Sequence, residues 1–223
     1  MKKTGVLHEV SLGIEIGLCT LLLATGAALL LLHSCDLLYR LDLKLLKIPE
    51  QTGLDVAVIL ENYHAMMAYL NPFSKGSFSL PTLAFSAEGA QHFADCRRLF
   101  LFFYVLAFAA GLLLVLRAFR SRGEDKSAVR YFVAAVVLIG SVLLAGIAIG
   151  VNPSRSFVLF HKLLFSNDYW MFDPARDPVI LLLPEQFFYH CAAVFACFWG
   201  IGAFLLLQAG IREKKKREQG KQS

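Results

Sequence analysis

No Gly-x-Ser-x-Gly elbow and no His-Glu-x-x-His pair occurs in these 223 residues, and no segment repeats or falls into low complexity. The first absence argues against a serine acyl-enzyme raised on a nucleophile elbow, and the second against a zinc-protease helix. The alternation of barrel strands is missing as well, which removes a membrane β-barrel. Five cysteines do not make a disulfide framework, because Cys19, Cys191 and Cys197 fall inside apolar runs and only Cys35 and Cys96 lie near their outer ends. Buried small hydrophobes are expected instead.

What the chain has in abundance is apolar surface: 57% of residues are hydrophobic and 13% aromatic, with a mean hydropathy of +0.58, well above the share in soluble domains. Four runs, roughly 12–32, 99–116, 131–151 and 188–207, approach the ~20 residues that ~30 Å of hydrocarbon requires. Backbone groups in lipid must be satisfied within their own segment, so these continuous runs imply helices. The expected fold is all-α and membrane-integral, with four transmembrane helices and two extracytoplasmic loop regions containing short amphipathic helices. Residues 1–211 form one four-helix catalytic domain and 212–223 a basic cytoplasmic tail. The first run resembles a signal peptide, and Leu32-His33-Ser34-Cys35 a lipoprotein cleavage box, but the run is too long for that and three more follow.

Basic residues set the orientation. Lys2 and Lys3 precede the first run, Arg117, Arg120, Arg122, Lys126 and Arg130 fill the middle connection, and Arg212, Lys214, Lys215, Lys216, Arg217 and Lys221 mark the tail. In a four-span chain these segments share one side, which the positive-inside rule makes cytoplasmic, so the chain is expected to be a multi-pass protein of the cell membrane with both termini inside. The net charge of +5 then reflects topology and anionic headgroups, and no nucleic-acid partner is expected.

The connections 34–98 and 152–187 must both face outward, and they hold nearly all the polar chemistry. In the first, Leu37, Leu41, Leu45 and Ile48 recur at helical spacing among charged residues, which predicts an amphipathic helix in the interface that Pro49 ends. A second helix is predicted from Asp55 to Leu70 with Ile59, Tyr63 and Met66 on one face, followed by a turn at Asn71-Pro72. Ser86 is placed to cap a third that runs into the second span.

Two constellations carry chemistry. FHKLLFSNDYWMFDP, residues 160–174, sets His161 and Asn167 among aromatics between two membrane-length runs. Polar groups so close to hydrocarbon mark a functional site by default, although Tyr169, Trp170 and Phe172 alone also fit an aromatic belt. SAEGAQHFADCRRLF, from Ser86, places His92, Asp95, Cys96 and Leu99 on one helical face. Asp95 there is placed to orient His92, and an ordinary cap with a buried polar pair fits the same spacing.

ENYHAMMAYL with Tyr63 and Tyr69, the FSAEGAQHFADCRRLF block, FHKLLFSNDYWMFDP and DPVILLLP over 177–184 occur in the order in which the bacterial lipoprotein intramolecular transacylase family has them. The chain resembles that family over most of its length, and the ordered set is more specific than any one motif. It departs from the expected pattern at Cys96, where valine is expected, and at Arg97, where lysine is expected. The resemblance implies transfer of the sn-2 O-acyl chain of an N-terminal diacylglyceryl-cysteine to its own α-amine, giving a lyso-form lipoprotein. The implied partners are diacylated bacterial lipoproteins and membrane phospholipid. It places the family's two active histidines on His92 and His161.

The expected roles are His92 as general base and acid, Asp95 as its orienter, and His161 as second proton carrier or donor to the carbonyl oxygen, the two histidines being interchangeable. Tyr63, Tyr69, Asn167, Trp170 and Arg97 are the expected substrate-binding residues, and no cofactor or metal is called for. Three alternatives stay open: a thioester on Cys96, one turn from His92; a metalloenzyme with His92, Asp95 and His161 as zinc ligands; and a non-enzymatic membrane subunit or transporter, for which Glu15 inside the first span is the best argument.

Overall fold

The structure, a computed structural model, describes residues 2–120 and 129–220; Arg122, Lys126 and Lys221 of the basic segments lie outside the described residues. It is all-helical, with no strand among the described residues: α1 (Lys2–Leu45), α2 (Ile48–Thr52), α3 (Val56–Leu70), α4 (Ala87–Arg120), α5 (Val129–Val151), α6 (Pro153–Leu164) and α7 (Glu185–Gly220), with a 3₁₀ turn at Pro178–Leu182 before α7. Among the described residues four stretches are long and apolar enough to cross a membrane, Ile14–Leu45, Ala87–Arg117, Tyr131–Val151 and Glu185–Gly220. Three of them exceed 30 residues, so α1, α4 and α7 overrun the ~20 residues a bilayer needs, and these overruns carry the polar residues.

The chain falls into two compact units, Met1–Leu30 with Phe103–Gly146 and Val194–Ser223, and Leu31–Phe102 with Ile147–Ala193. The first is held by apolar packing: Leu23, Trp199, Leu206 and Leu207 close around Ala135, Leu138 and Ala203. A Cβ on Gly202 would sit 3.0 Å from Leu23 Cδ2, so the absence of a side chain there sets how closely the helices approach. Glu15, the intramembrane carboxylate, is paired with the Arg117 guanidinium at 3.1 Å, so it is a compensated charge in place of half of a transport path.

The second unit has a larger core. Tyr39 stacks on Tyr63 with ring centroids 3.7 Å apart and donates its hydroxyl to the Leu182 carbonyl at 2.9 Å, which ties α1 to α3 and to the 3₁₀ turn. Ile59, Tyr63 and Met66 are buried on α3, the face the spacing predicts, and Asn71 makes the predicted turn by accepting Phe73 N–H on its side chain. His190 Nδ1–H donates to Asp42 at 2.8 Å, and Cys35 Sγ lies 4.0 Å from Cys191 Sγ. These two cysteines therefore share one packed seam, a proximity that their sequence positions conceal.

One expectation is corrected. Residues 37–48 do not form a separate interfacial helix: α1 continues unbroken to Leu45, turns at Lys47 in a left-handed conformation (φ 50°), and Pro49 opens α2 in its first turn where its fixed φ is favourable. The Leu37, Leu41 and Leu45 stripe is exposed, while Tyr39, Asp42 and Leu43 are buried. The mixed face packs against the rest of the unit and leaves the leucine stripe on its surface. The short amphipathic helix lies elsewhere. In α6, Leu159, Phe160 and Leu163 are exposed while His161 is buried, the arrangement of a helix lying in an interface.

Candidate active site

The site is built on the first turns of α4. Ser86 caps that helix: its Oγ accepts Gly89 N–H at 2.9 Å, as its position before the apolar run leads one to expect. A second residue completes the cap. Asp177 is buried and accepts both the Ser86 N–H and the Ser86 Oγ–H at 2.7 Å, which puts a carboxylate at a helix N-terminus, where the macrodipole favours it. The approach is so close that a Cβ on Gly89 would collide with the Asp177 carboxylate and meet Phe172 Cε1 at 3.2 Å. Gly89 is therefore required by space.

One turn further, His92 is 6% exposed. Phe165 and Phe172 present edges to its ring at centroid distances of 4.9 and 5.4 Å. Its Nε2 faces Cys96 Sγ at 3.5 Å, the i, i+4 contact that the spacing implies, and its buried Nδ1 has no hydrogen-bond partner.

His161 comes from α6, which Asn152 caps by accepting Arg155 N–H at 2.9 Å with Pro153 in the first turn. His161 lies in the last turn, 7% exposed, with its ring centroid 6.1 Å from that of His92. Its Nδ1 is 2.8 Å from the Phe157 carbonyl. A carbonyl can only accept, so Nδ1 carries the proton and Nε2 presents a lone pair. Burial pushes the His161 imidazole below its ordinary value, against the Phe157 bond, which favours protonation; the neutral ring predominates at pH 7.

After α6 the chain turns at Asn167, whose side chain accepts Tyr169 N–H at 3.1 Å, and this returns Trp170 onto His161 with ring centroids 4.7 Å apart. Trp170 is buried and its indole Nε1–H has no acceptor. A buried donor without a partner costs ~1–3 kcal/mol, so native sites that keep one call for a reason.

Asp95 does not take the orienting role expected of it. Its carboxylate accepts from Gln91 at 2.8 Å, Arg98 at 2.7 Å and Asn167 at 3.0 Å, and His92 is left without it. The i, i+3 spacing puts both on one side of α4, but Gln91, Arg98 and Asn167 offer good donors and draw the carboxylate away. Asp95 thus anchors the loop that carries Trp170.

Of the remaining expected residues, Tyr63 lies in the core, its ring contacts being Tyr39 and His64, and burial raises its phenol far above the usual range. Arg97 lies over the Tyr69 ring at 5.0 Å and donates to the Ser74 carbonyl, so these two hold the 72–78 loop. His92, His161, Asn167 and Trp170 are brought together; Tyr63, Tyr69 and Arg97 form neighbouring structure. Phe165 escaped the sequence reading, as did the contacts of Gly89 with Asp177 and of Phe172 with His92, which join residues far apart in the chain. Among the described residues no group of three or more His, Cys, Asp or Glu side chains is arranged to hold a metal ion.

No curated protein matches the chain. The model of the family described as lipoprotein intramolecular transacylase Lit matches residues 13–188. The chain is similar to the solved structure of the membrane-integral lipoprotein intramolecular transacylase Lit from Bacillus cereus, at 29% identity over 96% of this chain and 99% of that one, with a TM-score of 0.89. A second structure of that protein, with one histidine replaced by alanine, aligns at 29% identity over 98% of each chain with a TM-score of 0.84. The four long apolar helices, the histidine pair and the match over most of the sequence agree, and the chain belongs to the lipoprotein intramolecular transacylase family of membrane-integral enzymes.

Proposed function

We propose that this enzyme moves the sn-2 O-acyl chain of a diacylglyceryl-cysteine at a lipoprotein N-terminus onto the α-amine of the same cysteine, with His92 and His161 as the proton-transferring pair. The observation that carries this is the pair itself: two buried imidazoles 6.1 Å apart within aromatic walls, one of them presenting a lone pair. Ester and amine belong to one modified residue, so proximity is largely built into the substrate, and such arrangements reach effective molarities of ~10⁵ M or more. An α-amine titrates near ~8, and a neutral imidazole suffices to remove its proton as it attacks.

The His161 tautomer supports one division of roles. His161, with Nδ1–H held by Phe157, supplies Nε2 as the base for the amine. His92, whose Nε2 lies 3.5 Å from the Cys96 thiol, takes up the proton that His161 removes from the amine and, as imidazolium, delivers it to the leaving glyceryl oxygen. This exchanges the first assignment made from sequence. The test is mass spectrometry of lipoprotein N-terminal peptides from a bacterium that makes diacylated lipoproteins: with this chain expressed, one N-acyl and one O-acyl chain are expected, and unchanged peptides with the protein present in the membrane would sink the proposal.

A second reading is favoured by one contact, the 3.5 Å approach of Cys96 Sγ to His92 Nε2, which is also how a nucleophilic thiol is activated. Intramolecular aminolysis needs no acyl-enzyme, so Cys96→Ala is expected to keep most of the activity, and a trapped Cys96 thioester would reverse the choice.

The orientation proposed from charge puts both termini in the cytoplasm and the site on the outer face. The exposed apolar residues of α6 support a site at headgroup depth. A reporter cysteine at Ser77 or Ala175 should label from outside intact cells while one at Gln219 stays protected; the comparable position in the middle connection, Ser121, lies outside the described residues. Labelling at Gln219 but not at Ser77 would invert the topology and separate the site from its substrate.

A further inference from the structure

We infer that Trp170 is a catalytic residue, its indole Nε1–H donating a hydrogen bond to the acyl carbonyl oxygen of the substrate as that oxygen gains negative charge. The inference rests on the transacylase reading and extends it to the group that steadies the oxyanion.

Acyl transfer needs a base, an acid and a donor to the carbonyl oxygen. The histidines fill two of these places. His161 cannot fill the third, because its one N–H in the neutral ring is given to Phe157. His92 is committed to the leaving oxygen. Among the described residues the buried polar side-chain atoms without a partner are Asp42 Oδ2, the Tyr63 hydroxyl, His92 Nδ1, Trp170 Nε1 and Trp199 Nε1. Asp42 accepts only, Tyr63 stands in the Tyr39 stack, and Trp199 belongs to the other unit. That leaves Trp170 as the donor beside the base, its ring stacked on His161 at 4.7 Å. An indole N–H can donate and cannot accept, and it does not ionise near neutrality, which suits a group that must hold an oxyanion without quenching it.

The ring is also fixed in advance. Phe157 packs edge-on against it with centroids 6.4 Å apart, and the Asn167 turn that delivers it is tied to Asp95 at 3.0 Å. Preorganised donors stabilise developing charge because no reorganisation is spent at the moment of reaction. In the step itself the amine nitrogen bonds to the ester carbon and its proton passes to His161 Nε2. The carbonyl oxygen takes the electron pair under the Trp170 N–H. The proton held by His161 passes to His92, and the carbonyl reforms as the bond to the glyceryl oxygen breaks, that oxygen leaving with the proton from the His92 imidazolium. Trp170 exchanges no proton.

The full-length enzyme in detergent, given a synthetic diacylglyceryl lipopeptide, tests this through two variants: Trp170→Phe, and Trp170 replaced by benzothienylalanine, which keeps the ring outline and puts sulfur in place of the N–H. The second is expected to lower kcat by ~10²–10³-fold with KM within about twofold, while its thermal midpoint stays at or above that of the natural enzyme, since a buried unpaired donor has been removed. Trp170→Phe should show the same loss in kcat. A benzothienyl variant that turns over at the natural rate, or one in which only KM rises, overturns the inference and leaves Trp170 as a wall. No N-acyl product from the unsubstituted enzyme would overturn the transacylase reading instead.

Discussion

Replacing His161 by alanine should lower the rate of N-acyl product formation by ~10²–10⁴-fold, the range of a lost general base, and His92→Ala should do the same through the lost acid. Sequence places both histidines in outward loops with little burial, but they are 7% and 6% exposed, on α6 and α4, so alanine also opens a cavity among Trp170, Phe165 and Phe172 and some loss of stability is expected. His161→Gln separates the two effects: its side-chain amide fills much of the space and can still donate, but it offers no basic nitrogen. An active His161→Gln enzyme would remove His161 from the proton path.

The pH dependence follows from the same ring. Burial lowers the His161 pKa below its ordinary 6.5, so the neutral base persists to more acid pH and the low-pH limb of the rate profile should lie below that of an exposed histidine. The sign is the same for stability. The depressed value makes protonation of the folded state unfavourable, so this contribution is complete above the unfolded pKa of ~6.5 and is lost as pH falls through the folded one. The substrate α-amine, which titrates near ~8, gives its own higher limb, and a profile with no limb below 6.5 would mean that His161 is not the base.

The parts of the fold that local chemistry determines were legible in the sequence. The four apolar runs, the Ser86 cap, the Ile59–Tyr63–Met66 face and the Asn71 turn each depend on residues within a few positions of one another. The Leu37–Leu41–Leu45 stripe is exposed, as an interfacial face should be, but its periodicity does not reveal that it continues the first span as one helix, Lys2–Leu45, because no breaker separates the two. At the site, His92 and His161 were found by residue type, since few side chains can move protons at neutral pH. Their surroundings were not. Phe172 beside His92 and Asp177 beside Ser86 are contacts across 80 and 91 residues that no periodicity encodes, and Asp95 turned to Asn167 because three donors outweigh one ring at similar reach. The His161 tautomer is set by the Phe157 carbonyl, one helical turn back, and could have been suspected only once α6 was known to be a helix.

Gly89→Ala should be among the most damaging single substitutions outside the histidine pair, although helix propensity alone predicts a gain of up to ~1 kcal/mol from alanine at an exposed helix position. The sign reverses here because the new methyl has nowhere to go. It would overlap the Asp177 carboxylate and press on Phe172, and both neighbours are already engaged, Asp177 by Ser86 and Phe172 by an edge-to-face contact with His92 and a stack on Phe93. Overpacking of this kind costs ~1–3 kcal/mol. If Asp177 yields, the α4 cap weakens by about another 1 kcal/mol. If Phe172, stacked on Phe93 and edge-to-face with His92, yields, one wall of His92 moves and the proton donor loses its position. The expected result is a lower thermal midpoint and at least a tenfold fall in conversion, since misplacement by about 1 Å can cost ~10²-fold. Asp177→Ser in the same chain shortens the obstructing side chain and should recover part of the midpoint lost by Gly89→Ala. A Gly89→Ala enzyme that is more stable than the natural one and converts substrate at the natural rate would show that the 177 loop does not hold α4, and with it His92, in place.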